Sequence, residues 1–362
     1  MSSPQLCGSI FFLNLYDVCE EIHLQEVRRV LRLPAVGRES ALRDPAPEYL
    51  GFVKPPVTES LEQVTLSGNR RLASRLKFYD YGVVSVQFEL PFEGGWQTFI
   101  ELASQYTSEG EMEREAAVIA RRELQRQEAA LVKPYHNWLS EDYIVFHVRS
   151  VDGTADAGEL LGKYGGQIAQ IVRGETAPLS TGEQSEILRA AISYCPSDLA
   201  VVGWNAAFVF DTVPGALATI EMLEYANSQL LEFRYYDELL TRQMDSAYDT
   251  LQKGGGVWAR WRLSNVSGRL YALFLDVTEL AERTDNSLKF LSDMYSARLY
   301  QLAASKVGVR DYKKLVNKKL RTAERMYSFM VGQFHQGRAF AIELIIVILF
   351  ILDLALLFLR KR

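Results

Sequence analysis

Apolar positions first gather near the N-terminus, where Gly8 to Tyr16 carries the run SIFFLNLY, suited to a buried strand. In the stretch that follows, VCEEIHLQEVRRVLRL, Val18, Ile22, Val27, Val30, Leu31 and Leu33 mark one helical face, and Pro34 closes the helix. A loop with Pro45, Pro47, Pro55 and Pro56 leads to LKFYDYGVVSVQFEL at Leu76 to Leu90. There Val84, Val86, Phe88 and Leu90 alternate with Ser85, Gln87 and Glu89, the period of a half-buried strand. Two strands are expected to pair around Asp80, Tyr81 and Gly82.

Helical patterns follow at Trp96 to Tyr106 and Glu111 to Leu131, then a strand at Tyr143 to Arg149. A helix over Ala157 to Arg173, another over Glu183 to Ser193, and strands at Leu199 to Trp204 and Ala206 to Asp211 complete the mixed part. From Pro214 the pattern is helical only. Leu217, Ile220, Leu223, Leu231, Leu239, Leu240, Met244 and Leu251 recur up to the hinge Gly254 to Gly256. Further helices are expected at Trp258 to Arg283, Ser287 to Ser305 and Asp311 to Phe334, a bundle that favours oligomers.

The last segment, Ala339 to Leu359, reads AFAIELIIVILFILDLALLFL and is followed by Arg360, Lys361 and Arg362. Its 21 residues would span about 31 Å as a helix, the thickness of a bilayer's hydrocarbon core. Sixteen Leu, Ile, Val and Phe residues contribute roughly −5 to −10 kcal/mol to insertion, against roughly +5 to +7 for Glu343 and Asp353. The start of the chain shows no positive n-region, so a tail-anchored topology is expected, with the body on the side where it is made. The expected class is therefore α+β: an N-terminal α/β sandwich with ferredoxin-like elements, a helical bundle and a single C-terminal transmembrane helix. The expected divisions are residues 1–135 and 136–213 for two α+β units, 214–337 for the bundle, and 338–362 for the anchor and basic tail.

Charge sharpens this picture. The 362 residues hold 40 basic and 45 acidic side chains. Lys306, Arg310, Lys313, Lys314, Lys318, Lys319, Arg321 and Arg325 fall within twenty residues that contain only Asp311 and Glu324 as acids. Setting aside everything from Lys306 onward leaves 28 basic and 41 acidic residues, a net charge of about −13. Such a body repels phosphate backbones, so nucleic acid is not expected on residues 1–305. The basic segment has three open readings: a solvated helix face, a contact with anionic lipid, or a contact with RNA. Glu343 and Asp353, with Arg338, read as polar contacts to partner helices in a homo-oligomer, with snorkelling to each interface as the alternative.

Candidate chemistry is sparse. Cys7, Cys19 and Cys195 form no C-x-x-C pair, and His23, His136, His147 and His335 lie too far apart for a paired-ligand helix, so no metal or cofactor is expected. Gly162, Gly165 and Gly166 in GKYGGQ miss the phosphate-loop spacing and read as a loop or flexible turn. Tyr81 and Gly82 read as a strand turn or close backbone contact before a catalytic pair.

Two segments resemble the required-for-meiotic-nuclear-division family, a family of unknown function. The strand LKFYDYGVVSVQFEL is similar to its aromatic and Tyr-Gly-Val-Val motif through Tyr81, Gly82, Val83 and Val84. The segment GRAFAIELIIVILFILDLALLF is similar to its C-terminal signature through Arg338, Glu343 and Asp353, although Leu344 stands where a tryptophan is common. The resemblance implies a membrane-anchored, self-associating protein; the lack of an Arg-rich presequence makes a bacterial inner membrane the expected setting, and the lack of a signal at the start, with the three-residue tail, a body facing the cytoplasm. The function expected is that of a non-enzymatic scaffold or tether displaying an acidic α+β body. The alternatives are an enzyme or nucleotide-binding module with a pocket between the α+β units, and a membrane tether for RNA or ribosomes.

Overall fold

A computed structural model describes residues 4–33, 55–65, 71–154, 156–252, 268–269, 271–279 and 294–360. Beyond residue 329, side chains are described only at 346–351. The strands are β1 (Gln5–Ile22), β2 (Val57–Thr65), β3 (Arg71–Phe78), β4 (Val83–Gly95), β5 (Leu131–Val151), β6 (Ala191–Ile192), β7 (Leu199–Val202) and β8 (Ala206–Phe210). The helices are α1 (Leu24–Val30), α2 (Trp96–Ser108), α3 (Glu111–Arg126), α4 (Ala157–Arg173), α5 (Thr181–Leu188), α6 (Val213–Gln252), α7 (Met294–Lys306) and α8 (Val309–Arg360). A helical stretch also lies at 271–279. The chain divides into two compact units, Met1–Tyr235 with Arg283–Tyr312, and Tyr236–Glu282 with Lys313–Arg362.

The first unit is α+β. In place of the expected ferredoxin-like elements, its described residues form an eight-stranded mixed sheet in the order β2-β3-β4-β1-β5-β8-β7-β6. β5 and β8 run parallel and the other neighbours antiparallel. β1 is the central strand. It pairs with β4 from Gln5↔Gly95 to Asp17↔Val83, and with β5 from Leu6↔Val151 to Ile22↔Leu131. Ile10, Phe12 and Tyr16 point to one face and join Phe88, Phe146 and Phe208 under Phe99 and Ile100 of α2, Ile119 of α3 and Leu160 and Ile168 of α4. Phe99 meets Phe146 edge-on at 5.7 Å between ring centres, and each such fully buried side chain contributes about 1.5–3 kcal/mol. On the opposite face, side chains of β3 and of the turn after it reach the first half of α6.

Three local expectations change. The helix expected from Val18 onward begins only at Leu24, because residues 18–22 are claimed by the sheet on both edges. Val18 N–H donates to the Gly82 carbonyl (3.0 Å) and Ile22 N–H to the Asp80 carbonyl (2.9 Å), while Cys19 and Glu21 lie opposite Pro134 and Val132 of β5. Tertiary pairing overrides the helical spacing there. The glycines of GKYGGQ lie inside α4, not in a loop. Asp156 caps that helix through Gly158 N–H and Glu159 N–H, and a Cβ at Gly165 would meet Leu188 Cδ1 at 3.0 Å, so the glycine lets α5 approach. The helix expected over Glu183 to Ser193 is the shorter α5, and its end gives way to β6.

The single C-terminal transmembrane helix is also corrected. Among the described residues no helix is long and apolar enough to cross a membrane. The backbone of 339–359 continues α8, a helix of 52 residues. Its described side chains there, Ile346 to Ile351, are apolar and exposed. The side chains of Arg338, Glu343 and Asp353 lie outside the described residues, as do Pro34, the proline loop through Lys54 and the hinge Gly254 to Gly256.

Gly82 fixes how the β3–β4 turn meets β1. Its φ is +91°, and a Cβ there would sit 1.9 Å from the Cys19 carbonyl oxygen. Positive φ and lack of space both demand glycine. Gly82→Ala is expected to lower unfolding free energy by about 3 kcal/mol or more, read as a reduced denaturation midpoint in urea.

Candidate functional site

The densest concentration of chemistry in the first unit lies where the β3–β4 turn and the end of β1 face α6. Twelve successive residues of α6, Met222 to Phe233, are buried, so the helix is sealed around its circumference. Glu221, Glu224, Ser228, Glu232 and Tyr235 recur at steps of three and four residues and therefore share one face. Facing them are Lys77 at the end of β3, Tyr79 and Tyr81 in the turn, Asp17 and Cys19 on β1, and Tyr135 on β5.

At one end Lys77 forms an ion pair with Glu224, and Glu221 lies 3.8 Å from the same ammonium. The Lys77 side chain is 11% exposed and that of Glu224 1%. Burial works against the ammonium, but the carboxylates of Glu224 and Glu221 outweigh it and hold Lys77 above the ordinary lysine value. In the middle, the Tyr81 hydroxyl and Ser228 Oγ share a hydrogen bond of 2.7 Å, and the rings of Tyr79 and Tyr81 lie 5.3 Å apart. Burial raises both phenols well above the usual tyrosine value, with Glu224 adding to the effect on Tyr79 and Tyr225 to that on Tyr81.

At the other end Asp17 is 1% exposed, and neither of its carboxylate oxygens has a hydrogen-bond partner among the described residues. Burial, and then the neighbouring Glu232, raise its carboxyl well above the ordinary value of 3.8. The same burial, reinforced by Asp17, pushes the Cys19 thiol up to about 12. Tyr135 stacks on Tyr235 at 4.7 Å, its phenol raised by burial and then by Asp17. A thiol held that high stays protonated near neutral pH and is a poor nucleophile. The seam can hold protons and one paired ammonium, and it fixes which face of α6 meets the sheet. Among the described residues, no group of three or more His, Cys, Asp and Glu side chains is arranged to hold a metal ion.

Of the residues singled out from sequence, Tyr81 and Gly82 belong to this seam, and Val83 and Val84 are fully buried at the start of β4. Lys306 lies 3.9 Å from Glu186 within the first unit. In the second unit, Lys319 pairs with Asp237 Oδ1 at 2.6 Å and donates to Thr241 Oγ1 at 2.7 Å. Lys313 is half-buried, whereas Arg310, Lys314, Lys318, Arg321 and Arg325 are exposed along α8. Lys77, Asp17 and the acids of α6 were missed. The readable signal was the spacing of the acids and serine at 221, 224, 228 and 232, in a stretch that also holds Asn227 and Gln229.

Residues 7–216 match the family described as "Uncharacterized protein MJ0711, N-terminal domain", and the chain belongs to that family. Uncharacterized protein MJ0711 of the archaeon Methanocaldococcus jannaschii is 23% identical over 175 residues, covering 48% of this chain and 52% of that protein. The chain thus spans about half the length of the curated relative it matches. No solved structure matches. These findings overturn the resemblance to the required-for-meiotic-nuclear-division family and the membership as a bacterial, membrane-anchored representative. Of the two motifs that carried it, Tyr81 to Val84 is the turn and first strand residues of a tight hairpin, a need that unrelated sheets share, and the side chains of Arg338, Glu343 and Asp353 lie outside the described residues.

Substitutions at three positions probe the seam. Lys77→Met leaves Glu224 buried without its cation and is expected to cost about 3–5 kcal/mol, while Lys77→Met with Glu224→Leu recovers most of that loss. Urea denaturation of the single and double variants measures the difference. For Asp17, a carboxyl raised in the folded state binds its proton more tightly folded than unfolded. Its contribution to stability is therefore full below about pH 4 and lost as pH rises through the folded value, at up to about 1.4 kcal/mol per pH unit. Asp17→Asn is expected to melt with the wild type near pH 4 and several degrees above it at pH 7.5, followed by circular dichroism.

Proposed function

We propose that the protein is a non-enzymatic scaffold that self-associates through the end of α8 and so displays its acidic α+β unit in more than one copy. The observation that carries this reading is the run Ile346, Val347, Ile348, Leu349, Phe350 and Ile351, whose residues are 47–70% exposed. Six successive residues of a helix point in every direction around its axis. A continuous apolar sleeve of this kind marks an interaction surface. Each apolar side chain taken fully out of water contributes about 1.5–3 kcal/mol; a contact between two copies takes the facing side of the sleeve, about three half-exposed side chains on each, or roughly 5–9 kcal/mol, and a bundle of more copies takes more. Association costs about 4–15 kcal/mol, a range whose lower part this contribution meets. The seam of the first unit supports a structural role, since its thiol and phenols are held in forms that neither attack nor accept protons near neutral pH.

Sedimentation velocity of the full chain tests the proposal. The wild type is expected to sediment as a dimer or larger, and Ile348→Glu with Phe350→Glu as a monomer with an unchanged circular dichroism spectrum. A wild type that is monomeric at tens of micromolar overturns it.

A further inference from the structure

We infer that the exposed cations of α8 form a docking row for the phosphate backbone of duplex nucleic acid, bound without regard to base sequence. Lys314, Lys318, Arg321 and Arg325 are all exposed. At about 100° and 1.5 Å per residue they fall within a sector of about 60° along about 16 Å of helix. The far side of α8 carries Val316, Leu320, Ala323 and Met326, which are buried and hold the row facing outward. Lys319 lies off the row, where it pairs with Asp237 and donates to Thr241.

Geometry chooses among polyanions. Asp311 and Glu324 fall on opposite flanks of the row by the same helical arithmetic, so the positive strip is one side chain wide. An anionic bilayer presents charge over a plane and rewards cations spread in two dimensions. One strand of a duplex presents about one charge per 3.4 Å of axis, so a 16 Å row meets about five of them. Two arginines add the planar fork that grips phosphate oxygens in pairs. The remainder of the chain, at about −13 before Lys306, repels the same ligand and confines it to the row.

The test is fluorescence anisotropy of the full chain with a labelled duplex of arbitrary sequence across a salt series. Four neutralised phosphates give a slope of log affinity on log salt of about −3.6, a loss of roughly 100-fold between 50 and 200 mM. Replacing Lys314, Lys318, Arg321 and Arg325 with Gln is expected to weaken binding at least tenfold and to flatten the slope towards zero. A control with Arg75→Gln, Lys163→Gln, Arg173→Gln and Arg189→Gln removes as many charges from the first unit and is expected to bind as the wild type. Thermal melts confirm that each variant is folded, and the single variant Lys318→Glu serves if the fourfold one is not. Three results each overturn the inference: no duplex binding by the folded wild type at 50 mM salt, equal loss in the control, or tighter binding to vesicles containing anionic lipid than to the duplex.

Discussion

Everything in the first unit is built on the two-sided pairing of β1. An 18-residue strand whose two edges are taken by β4 and β5 for most of its length has nearly all its backbone donors and acceptors satisfied. It can therefore carry side chains that would be costly elsewhere. The pairing demands close approach at two points. A Cβ on Gly8 would lie 2.0 Å from the His147 carbonyl oxygen, and one on Gly82 would lie 1.9 Å from that of Cys19. These contacts draw β5 against one edge of β1 and the β3–β4 turn against the other. Position 82 thus governs the turn that aims Tyr81 at Ser228 and brings Lys77 to Glu224.

The buried charges on α6 follow from that geometry. A helix sealed on all sides would ordinarily present only apolar residues to a sheet. Here one face offers three carboxylates, one hydroxyl and one phenol to a single ammonium, a fourth carboxyl, that of Asp17 on β1, and several phenols. An ion pair of this kind adds little net stability over apolar residues of the same volume, because desolvation consumes most of the Coulombic gain. What it does is penalise misregister. Sliding α6 by one residue would rotate Glu224 about 100° away from Lys77 and leave both charges buried alone. Asp17 acts in the opposite sense, as an acid whose discomfort grows once it loses its proton.

The legible part of the sequence was the part in which local pattern and tertiary environment agree. α4 begins and ends where its cap and periodicity say, and the β3–β4 hairpin forms about Asp80, Tyr81 and Gly82 as its alternation implies. The α+β class follows from these elements. Residues 18–22 were misread because Val18 and Ile22 satisfy helical spacing as well as they satisfy a strand, and only partners distant in sequence, Asp80, Gly82 and Val132, decide between the two. The strand β5 is longer than its apolar stretch for the same reason: Leu131 to Asp142 is polar and exposed in part, yet β1 holds it in register. The polar face of α6 was overlooked because a buried helix with charged residues looks, in one dimension, like an amphipathic one with a solvent side. Lys77 stands in a strand reading RLASRLKF whose alternation marks it as outward-facing, and nothing local reveals that the outward face is covered.

Charge segregation along the chain follows a similar logic at larger scale. An acidic excess spread over the first 305 residues is compatible with folding only because much of it is solvated or paired, and at low ionic strength it surrounds the unit with a negative potential. A helix that gathers cations in one narrow sector cannot be explained as neutralisation of its own apolar face, which needs only Val316, Leu320, Ala323 and Met326. Helix stability does not require it either, since like charges at steps of three and four residues repel by a few tenths of a kcal/mol per pair. Lys314 and Lys318, Lys318 and Arg321, and Arg321 and Arg325 are all such pairs. Asp311, three residues before Lys314, and Glu324, three after Arg321, offset part of that repulsion; what remains is relieved when an anion of matching linear charge lies along the row, and that relief grows as salt is lowered.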